Sequence, residues 1–333
     1  MAAVDARRTQ TEPLSREAAG AMSTVAETPP WERAGRARPT WGLEEGDAIA
    51  TGRTVLRRLG GGRRYEVFLV WDEHRLSVLV AKVLRPGEAA EPLALNELRR
   101  EAEMLARLGH PVVVRGFDAA ATGPFPHLLL EHLEGPTLQS LLEHHGPLGL
   151  EQLLPLGLHT ASALHYIARE GLVHLDVKPE NLVMGAPPRL IDFSVARALD
   201  AAARIARPIG TDAYMAPEQC GAGTDGMPPI GPAADVFGLG ATLQYAMTGA
   251  RAFPRTPDAR DASDPEVRFP QLTRGPAPLP KRTPPALAEL LAAMLAYDPA
   301  DRPSAAEVAH ALEPVVAELP RRLVLRGRWR RRR

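Results

Sequence analysis

Two hydrophobic patterns divide the chain, and the first of them is typical of β-strands. Short apolar runs between turn residues predict strands at residues 54–59, 67–71 and 76–83. An amphipathic helix is predicted over about residues 91–108, followed by strands at residues 112–118 and 127–131. The first part of the chain is therefore predicted to be a small, β-rich unit with one helix.

Helical spacing dominates the chain after Gly135-Pro136. Apolar residues recur at three- and four-residue intervals in the segments 137–145, 150–170, 232–248, 285–296 and 304–312. The Pro-rich stretch 253–285 has no period, so we predict a loop that is ordered only where it contacts the helices. The predicted fold class is α+β, with a small β-rich half before a larger, mainly helical half.

The composition is that of a globular protein. The chain has 45% hydrophobic and 24% charged residues, which excludes a collagen-like or wholly disordered chain. It contains no run of about 18 apolar residues and no apolar N-terminal stretch of the kind that a signal peptide needs. The single cysteine, Cys220, excludes an internal disulfide. We expect a soluble, cytoplasmic protein without a transmembrane or sensor domain.

The balanced charge, 40 Lys+Arg against 40 Asp+Glu, conceals two unusual ends. Residues 1–52 hold 6 Arg and 8 acidic residues, and their composition predicts a disordered leader with a short helix near residues 14–22. Residues 316–333 form a basic tail, of which residues 321–333 (Arg321 to Arg333) hold 8 Arg and no acid. The tail is either a solvated charged run or a weak contact for an anionic membrane, and no specific nucleic-acid partner is expected.

A glycine cluster, Gly60-Gly61-Gly62, separates the first two predicted strands. Glycine lets a backbone approach phosphate oxygens closely and offer its N–H groups to them. A hairpin turn explains the same cluster equally well. Tyr65 also stands where a G-x-G-x-x-G pattern has its third glycine. The cluster is a candidate phosphate-binding loop only in the company of other residues.

Lysine is rare in this chain, so each lysine is informative. Only Lys82, Lys178 and Lys281 occur among the 40 basic residues. Lys82 ends an apolar strand, where a buried ammonium needs an anion. Glu101 lies on the apolar face of the predicted helix, three residues after Leu98, and is the candidate partner. The alternatives are a purely structural ion pair and a lysine whose head reaches solvent.

Further polar residues stand in short motifs with a specific order. Asp176, Lys178 and Asn181 occur within H-L-D-V-K-P-E-N, and Asp192 follows in L-I-D-F-S. The chain continues with G-T-D-A-Y-M-A-P-E at residues 210–218, D-V-F-G-L-G at 235–240 and D-P-A-D-R-P at 298–303. With these motifs the chain resembles the bacterial eukaryotic-type (Hanks-type) serine/threonine protein kinases over about residues 53–315.

The resemblance implies a bilobal protein-kinase-like fold, with an N-lobe at residues 53–133 and a C-lobe at residues 134–315. The N-lobe would be a small antiparallel sheet with one helix, and the C-lobe would be mainly helical. ATP and Mg²⁺ are the implied cofactors, and Ser/Thr hydroxyls of protein substrates are the implied acceptors. Lys178 and Thr211 resemble the serine/threonine branch of the family rather than the tyrosine branch.

The resemblance also implies roles for individual residues. Asp176 would accept the proton of the substrate hydroxyl, and Lys178 would neutralise charge on the transferred phosphate. Lys82, held by Glu101, would contact the α- and β-phosphates. The implied Mg²⁺ ligands are Asn181 and Asp192. The nucleotide would lie among Gly60, Gly61, Gly62, Val67, Ala81, Lys82, Leu130, Glu131, Leu133 and Val183.

The same resemblance implies two buried groups that hold the lobes together. They are a column of Leu105, Phe193 and His174 anchored by Asp235, and an ion pair of Glu218 with Arg302.

Leu175 departs from the family pattern, because an arginine usually precedes the catalytic aspartate. Its absence removes the charge that a phosphorylated activation segment would pair with. Ser194 and Thr211 are also the only Ser or Thr residues in the segment 192–218. We therefore predict that activation-loop phosphorylation is not needed. Ser194 itself replaces the glycine of D-F-G, which restricts the backbone there.

Two other functions fit the same fold. One is a pseudokinase or nucleotide-binding scaffold, which the complete set of catalytic residues disfavours. The other is a small-molecule phosphotransferase, which the protein-substrate motif at residues 210–218 disfavours. No sequence feature predicts an oligomeric state.

Overall fold

The computed structural model describes residues 39–256, 258–259 and 262–319, and these residues form two lobes. A single antiparallel sheet builds the N-lobe, with strand order β1-β2-β3-β4-β6-β5. Helix α1 precedes β5 in the chain and packs against β5 and β6. The N-lobe elements are β1 (Ala48–Ala50), β2 (Arg53–Gly61), β3 (Tyr65–Asp72), β4 (Ser77–Leu84), α1 (Pro92–Arg107), β5 (Gly116–Ala120) and β6 (His127–Glu131).

The sheet of the N-lobe is covered on both faces. Neighbouring residues of a strand point to opposite faces, so β3 and β4 present apolar residues to both sides. One face packs with α1, and the other is covered by Trp41 and Phe125, whose rings meet edge to face at 4.9 Å. Buried residues of that second face include Ile49, Val55, Phe68, Val70, Ala81 and Leu129.

The N-lobe begins earlier than the predicted boundary at residue 52. Residues 39–50 already belong to it, because β1 pairs with β2 and the Trp41 indole N–H donates to the carbonyl of Leu84 at 2.7 Å. The backbone N–H of Trp41 also donates to the buried carboxylate of Glu66 at 3.0 Å. The leader prediction is therefore wrong for this part, and the predicted helix near residues 14–22 lies outside the described residues.

The C-lobe is mainly helical and is built around α3 and α6. Both helices carry long buried stretches, which is why they lie at the centre of the lobe. Its helices are α2 (Leu138–His145), α3 (Leu150–Arg169), α4 (Leu199–Ala202), α5 (Pro217–Cys220), α6 (Pro232–Thr248), α7 (Pro265–Arg268), α8 (Pro285–Met294) and α9 (Ala305–Glu318). Its short strands are β7 (Leu172–Val173), β8 (Leu182–Val183), β9 (Arg189–Leu190) and β10 (Arg197–Ala198).

The helices predicted from apolar periodicity are confirmed, but two other predictions need correction. The strand predicted at residues 112–118 begins only at Gly116, because the backbone of Val112 and Val114 instead pairs with Leu190 of the C-lobe. The stretch 253–285 is not only loop, since it contains α7 and a 3₁₀ turn at Pro270–Leu272. Among the described residues, no helix combines the length and apolarity that a membrane crossing requires. The predicted basic tail lies outside the described residues from residue 320 onward.

Candidate active site

Lys82 on β4 and Glu101 on α1 form a buried ion pair that also includes Asp192. The Lys82 Nζ lies 2.9 Å from each carboxylate oxygen of Glu101 and 2.7 Å from Oδ1 of Asp192. Lys82 and Glu101 are 8% and 1% exposed. The predicted partner of Lys82 is confirmed, and a second carboxylate completes an ion triad that joins the sheet, α1 and the segment after β9.

Lys82 and Asp192 keep their charges because each offsets the burial of the other. Burial alone would lower the pKa of Lys82, but the carboxylates of Asp192 and Glu101 outweigh it and raise the pKa above its ordinary value. Burial also opposes ionisation of Asp192, yet the Lys82 ammonium and its hydrogen bond hold the pKa of Asp192 well below the ordinary range. Glu101 differs from both, because its burial outweighs the Lys82 ammonium and raises its pKa above the ordinary value.

The glycine cluster forms a tight hairpin between β2 and β3. The Gly62 N–H donates to the carbonyl of Tyr65 at 2.9 Å, and Arg85 Nε donates to the carbonyl of Gly62 at 2.9 Å. A Cβ on Gly61 would lie 2.6 Å from the Tyr65 carbonyl oxygen, so the hairpin requires glycine there. The ring of Tyr65 then covers Lys82, with Nζ 4.5 Å from the ring centroid. Burial raises the pKa of Tyr65 to about 12.

Asp176, Lys178 and Asn181 form a second cluster, which the loop between β7 and β8 carries. Lys178 Nζ lies 2.7 Å from Oδ2 of Asp176 and donates to Oγ1 of Thr211 at 2.7 Å. The Asn181 amide donates to the Asp176 carbonyl at 2.9 Å and to its Oδ2 at 3.1 Å. The other oxygen, Oδ1 of Asp176, is buried and has no hydrogen-bond partner among the described residues. It is the atom of this cluster that is left to accept a proton from a bound hydroxyl.

The backbone of this loop is held in a rare conformation by a buried carboxylate. Asp235 at the start of α6 accepts hydrogen bonds from the backbone N–H groups of His174 and Leu175, each at 2.7 Å. Leu175 has φ 67°, in the left-handed region that side chains other than glycine seldom adopt, and Asp192 has φ 64°. Such strain at two positions of one cleft is typical of a functional site, where the surrounding contacts enforce it.

The residues predicted to surround the nucleotide base lie on one face of the N-lobe sheet, with one exception. Val67 is paired with Lys82 across β3 and β4 and so shares its face. Ala81 faces the opposite side, where it is fully buried with Phe68, so its prediction as a lining residue is wrong. Val80, two residues before Lys82, occupies the cleft face instead and is paired with Leu130. Strand alternation counted back from Lys82 would have identified Val80.

The remaining residues of the predicted nucleotide pocket lie at the junction of the lobes. Leu130 is buried at the end of β6, and Leu133 is half-buried in the segment that leads into the C-lobe. Val183 is buried on β8, below them. The Glu131 carboxylate is engaged in the structure, since it accepts from Arg189 Nη1 at 2.9 Å and from the N–H of Arg115 at 2.8 Å. Its backbone N–H is engaged as well, since it donates to the Arg115 carbonyl at 3.0 Å.

The two buried groups that the sequence predicted are present. The rings of His174 and Phe193 meet edge to face at 4.7 Å, and Leu105 is buried in the core cluster that includes Phe193. Arg302 donates to both carboxylate oxygens of Glu218, at 2.7 and 2.8 Å, and both side chains are fully buried. The pair joins α5, which begins within the motif at residues 210–218, to the chain between α8 and α9.

The donor set beside Lys82 fits a hard cation that binds together with phosphates. Asp192 offers a carboxylate, and Asn181 has its amide nitrogen engaged with Asp176, so its carbonyl oxygen remains for a ligand. Mg²⁺ prefers such oxygen donors and takes its other ligands from water and substrate phosphates. In the described part of the chain, no group of three or more His, Cys, Asp or Glu residues is arranged to hold a metal. A cation here would therefore depend on the phosphates of a bound nucleotide.

The sequence model of the protein kinase domain matches residues 53–312, and the chain belongs to this family. Among its relatives, the probable serine/threonine-protein kinase PkwA of Thermomonospora curvata is 36% identical over 270 residues, which are 80% of this chain and 34% of the relative. Serine/threonine-protein kinase PknB of Mycobacterium leprae is 31% identical over 204 residues, 59% of this chain and 32% of the relative. Serine/threonine-protein kinase PknA of Mycobacterium tuberculosis is 34% identical over 245 residues, 70% of this chain and 54% of the relative. The chain thus spans between a third and about half of the length of these relatives.

Proposed function

We propose that this chain is an ATP-dependent protein kinase that transfers the γ-phosphate of ATP to Ser or Thr hydroxyls of proteins. The observation that carries the proposal is the assembled cleft, in which the Lys82–Glu101–Asp192 triad faces the Asp176–Lys178 pair. The relatives with the same family domain are named serine/threonine-protein kinases, which supports the same reaction.

The N-lobe side of the cleft is suited to ATP. The glycines of the hairpin at Gly60 to Gly62 would let its backbone approach the phosphates closely, and the Lys82 ammonium offers them a positive charge. Asn181 and Asp192 would hold Mg²⁺, which supplies neutralisation of the phosphate charge when it is bound. The adenine would contact Val67, Val80, Leu130, Leu133 and Val183.

The C-lobe side of the cleft is suited to the transfer step. The substrate oxygen attacks the γ-phosphorus as the bond from that phosphorus to the bridging oxygen of ADP breaks, and Asp176 Oδ1 takes the hydroxyl proton. Lys178 lies between Asp176 and Thr211, where its charge stabilises the transferred group. Burial would lower the pKa of Lys178, but the Asp176 carboxylate outweighs this effect and keeps it protonated.

Transfer of labelled γ-phosphate to a generic basic protein tests the proposal. We expect Asp176→Asn and Asp192→Asn each to lower the rate by a factor on the order of 100 or more, since each removes a group that acts directly on the reacting atoms. Asp200→Asn is the matched control, because Asp200 pairs with Arg204 at the surface, and both side chains are 70% exposed. A folded wild type that binds ATP but transfers no phosphate would contradict the proposal and favour a nucleotide-binding scaffold.

We also infer that the segment 192–218 needs no phosphorylation for activity. Leu175 is 3% exposed and packs in an apolar cluster with Ala213 and Tyr214 of this segment, where an arginine would have met a phosphate. Half-buried side chains of the same segment complete the cluster: Val195, Leu199, Ile205 and Ile209. Burial of these apolar side chains thus holds the segment 192–218 in place, which a pairing of arginine with phosphate would otherwise do. Phosphopeptide mapping of the active protein should find no stoichiometric, activating site within 192–218, and such a site would refute the inference.

The cytoplasmic location, Ser/Thr protein substrates and weak membrane contact of residues 321–333 remain predictions. Pelleting of the full chain with anionic vesicles across a salt series tests the last of them, because polybasic attraction weakens as salt screens it.

A further inference from the structure

Asp212, the residue after Thr211, is held by two arginines that come from the Pro-rich stretch 253–285. Arg255 Nη1 donates to Oδ2 of Asp212 at 2.8 Å. Arg268 donates through Nε to Oδ2 and through Nη2 to Oδ1, each at 3.1 Å. The Asp212 and Arg255 side chains are 16% and 13% exposed, whereas that of Arg268 is 41% exposed, so the clamp is buried on the Arg255 side and open to water on the Arg268 side. We call Asp212, Arg255 and Arg268 the platform clamp.

The same stretch also fixes the backbone around the clamp. Gln271, 2% exposed, donates through its amide to the carbonyl of Asp212 at 2.7 Å and to that of Met215 at 3.0 Å. Arg255 Nη1 additionally donates to the carbonyl of Arg268 at 3.2 Å, so the two clamp arginines are tied to each other. The Pro-rich stretch thus holds residues 212–215 through both side-chain and backbone contacts.

The clamp lies one residue from the catalytic cluster. Thr211 Oγ1 accepts the hydrogen bond from Lys178, which pairs with Asp176. A displacement of Asp212 would therefore shift Thr211 and with it the partner of Lys178. Geometric errors of about 1 Å in a transfer site cost large factors in rate, because reacting groups must already be aligned.

The charges of the clamp are permanent at neutral pH. Burial opposes ionisation of Asp212, but its hydrogen bonds to Arg268 and Arg255 outweigh this effect and lower its pKa below the ordinary value. Arginine stays protonated under the same conditions. The clamp therefore needs no phosphoryl group to supply its negative charge.

We propose that Arg255 and Arg268 are positioning residues that hold the substrate-binding loop 211–215 in its working position through Asp212. This role rests on the proposed kinase activity. It adds that the side chains of Asp212, Arg255 and Arg268 position the loop without a phosphoryl group. The clamp acts on the protein substrate and on the Thr211–Lys178 contact, and it leaves the nucleotide side of the cleft unaffected.

The test compares four variants of the full chain with wild type. Three carry the single substitutions Arg255→Ala, Arg268→Ala and Asp212→Ala, and the fourth combines Asp212→Ala with Arg255→Ala. Arg274→Ala is the matched control, since Arg274 is an exposed arginine of the same stretch and has no side-chain ion pair with the described residues. For each variant, kcat and KM are measured separately for ATP and for a protein substrate, with Mg²⁺-ATP binding and the melting temperature as folding controls.

We expect kcat/KM for the protein substrate to fall by about tenfold to about 100-fold in Arg255→Ala and Asp212→Ala, with ATP affinity unchanged. The double variant should lose about as much as the single ones, because both substitutions remove the same contact. Arg255→Lys should recover part of the loss, whereas Arg274→Ala should lose nothing. Wild-type kinetics for the protein substrate in folded Arg255→Ala and Arg268→Ala variants would overturn the proposal, as would a parallel loss of ATP affinity. A wild type without transfer would instead refute the kinase function itself.

Discussion

At the scale of single residues, Gly210 has a backbone conformation and a close contact that only glycine allows without strain. Gly210, which opens the substrate motif, has φ 119°, and a Cβ there would lie 2.7 Å from the carbonyl oxygen of Leu175. That carbonyl also accepts the amide of Gln219 at 2.9 Å, so it is fixed in place. Gly210 is therefore a position where the motif at residues 210–218 lies close against the backbone of the catalytic loop.

Gly210→Ala should destabilise the protein by about 1–3 kcal/mol, because the new Cβ adds both backbone strain and a clash with a fixed carbonyl. Urea unfolding of the variant and of wild type measures the difference. Gly275→Ala is the control, since Gly275 is exposed and a Cβ there would meet no atom within 4 Å. Equal stability of the two variants would show that the loop can move away from Leu175.

The sequence identified single residues well wherever their chemical type was unusual in its setting. Lys82 and Glu101 were recognisable because a charge on an apolar strand and one on an apolar helix face require each other. The prediction for Ala81 was wrong because it took the residue next to Lys82. Neighbouring residues of a strand face opposite sides, so the residue that shares the face of Lys82 stands two positions before it. Val80 occupies the position that Ala81 was expected to occupy.

At the scale of elements, buried ion pairs join segments that are distant in the chain. Arg302 donates to both oxygens of Glu218 and to the backbone carbonyls of Ala233, Ala296 and Tyr297. Removal of the arginine would leave a buried carboxylate and several carbonyl groups without donors, and such losses are costly.

Arg302→Ala should therefore cost about 3–5 kcal/mol of folding free energy. Arg204→Ala is the comparison, because Arg204 makes an ion pair with Asp200 that is fully at the surface. Thermal unfolding of both variants should give a large fall in melting temperature for Arg302→Ala and no measurable change for Arg204→Ala. If Arg302→Ala and Arg204→Ala both lowered the melting temperature only slightly, α5 would not be held by the buried Glu218–Arg302 pair.

Elements with a regular period were predictable from the sequence, whereas the Pro-rich stretch was not. Helices such as α3 and α6 follow from local apolar spacing. Arg255 and Arg268 of this stretch instead contact Asp212, which lies 43 residues before Arg255 and 56 before Arg268. No local pattern encodes such a pairing, so the contact of this stretch with Asp212 became visible only in the fold.

At the scale of the whole molecule, the Lys82 triad links both lobes through charge. Asp192 has a lowered pKa, so its contribution to stability is present above about pH 4 and is lost as the pH falls through its folded-state value. Lys82 has a raised pKa, so its contribution is present below about pH 10 and is lost only at higher pH. The contribution of the Lys82–Asp192 pair should therefore be constant across the neutral range.

Removal of Lys82 should make stability depend on pH more steeply than in wild type. In Lys82→Ala the buried carboxyl group of Glu101 and the half-buried one of Asp192 lose their cation, so desolvation and mutual repulsion raise their pKa values. The folded variant then holds more protons than the unfolded chain, and its stability falls as the pH rises from about 4 to about 8. Melting temperatures across this range should show a gap to wild type that widens with pH, and a constant gap would contradict the account.

We propose an active kinase whose cleft is assembled without a phosphate on the segment 192–218. The most direct measurement is the time course of γ-phosphate transfer to a protein substrate by phosphatase-treated wild type, with Lys82→Ala as the inactive reference. We predict transfer that is linear from the first time point and is lost in Lys82→Ala. A lag that ends as residues within 192–218 become phosphorylated, or no transfer from folded, ATP-binding protein, would contradict the claim.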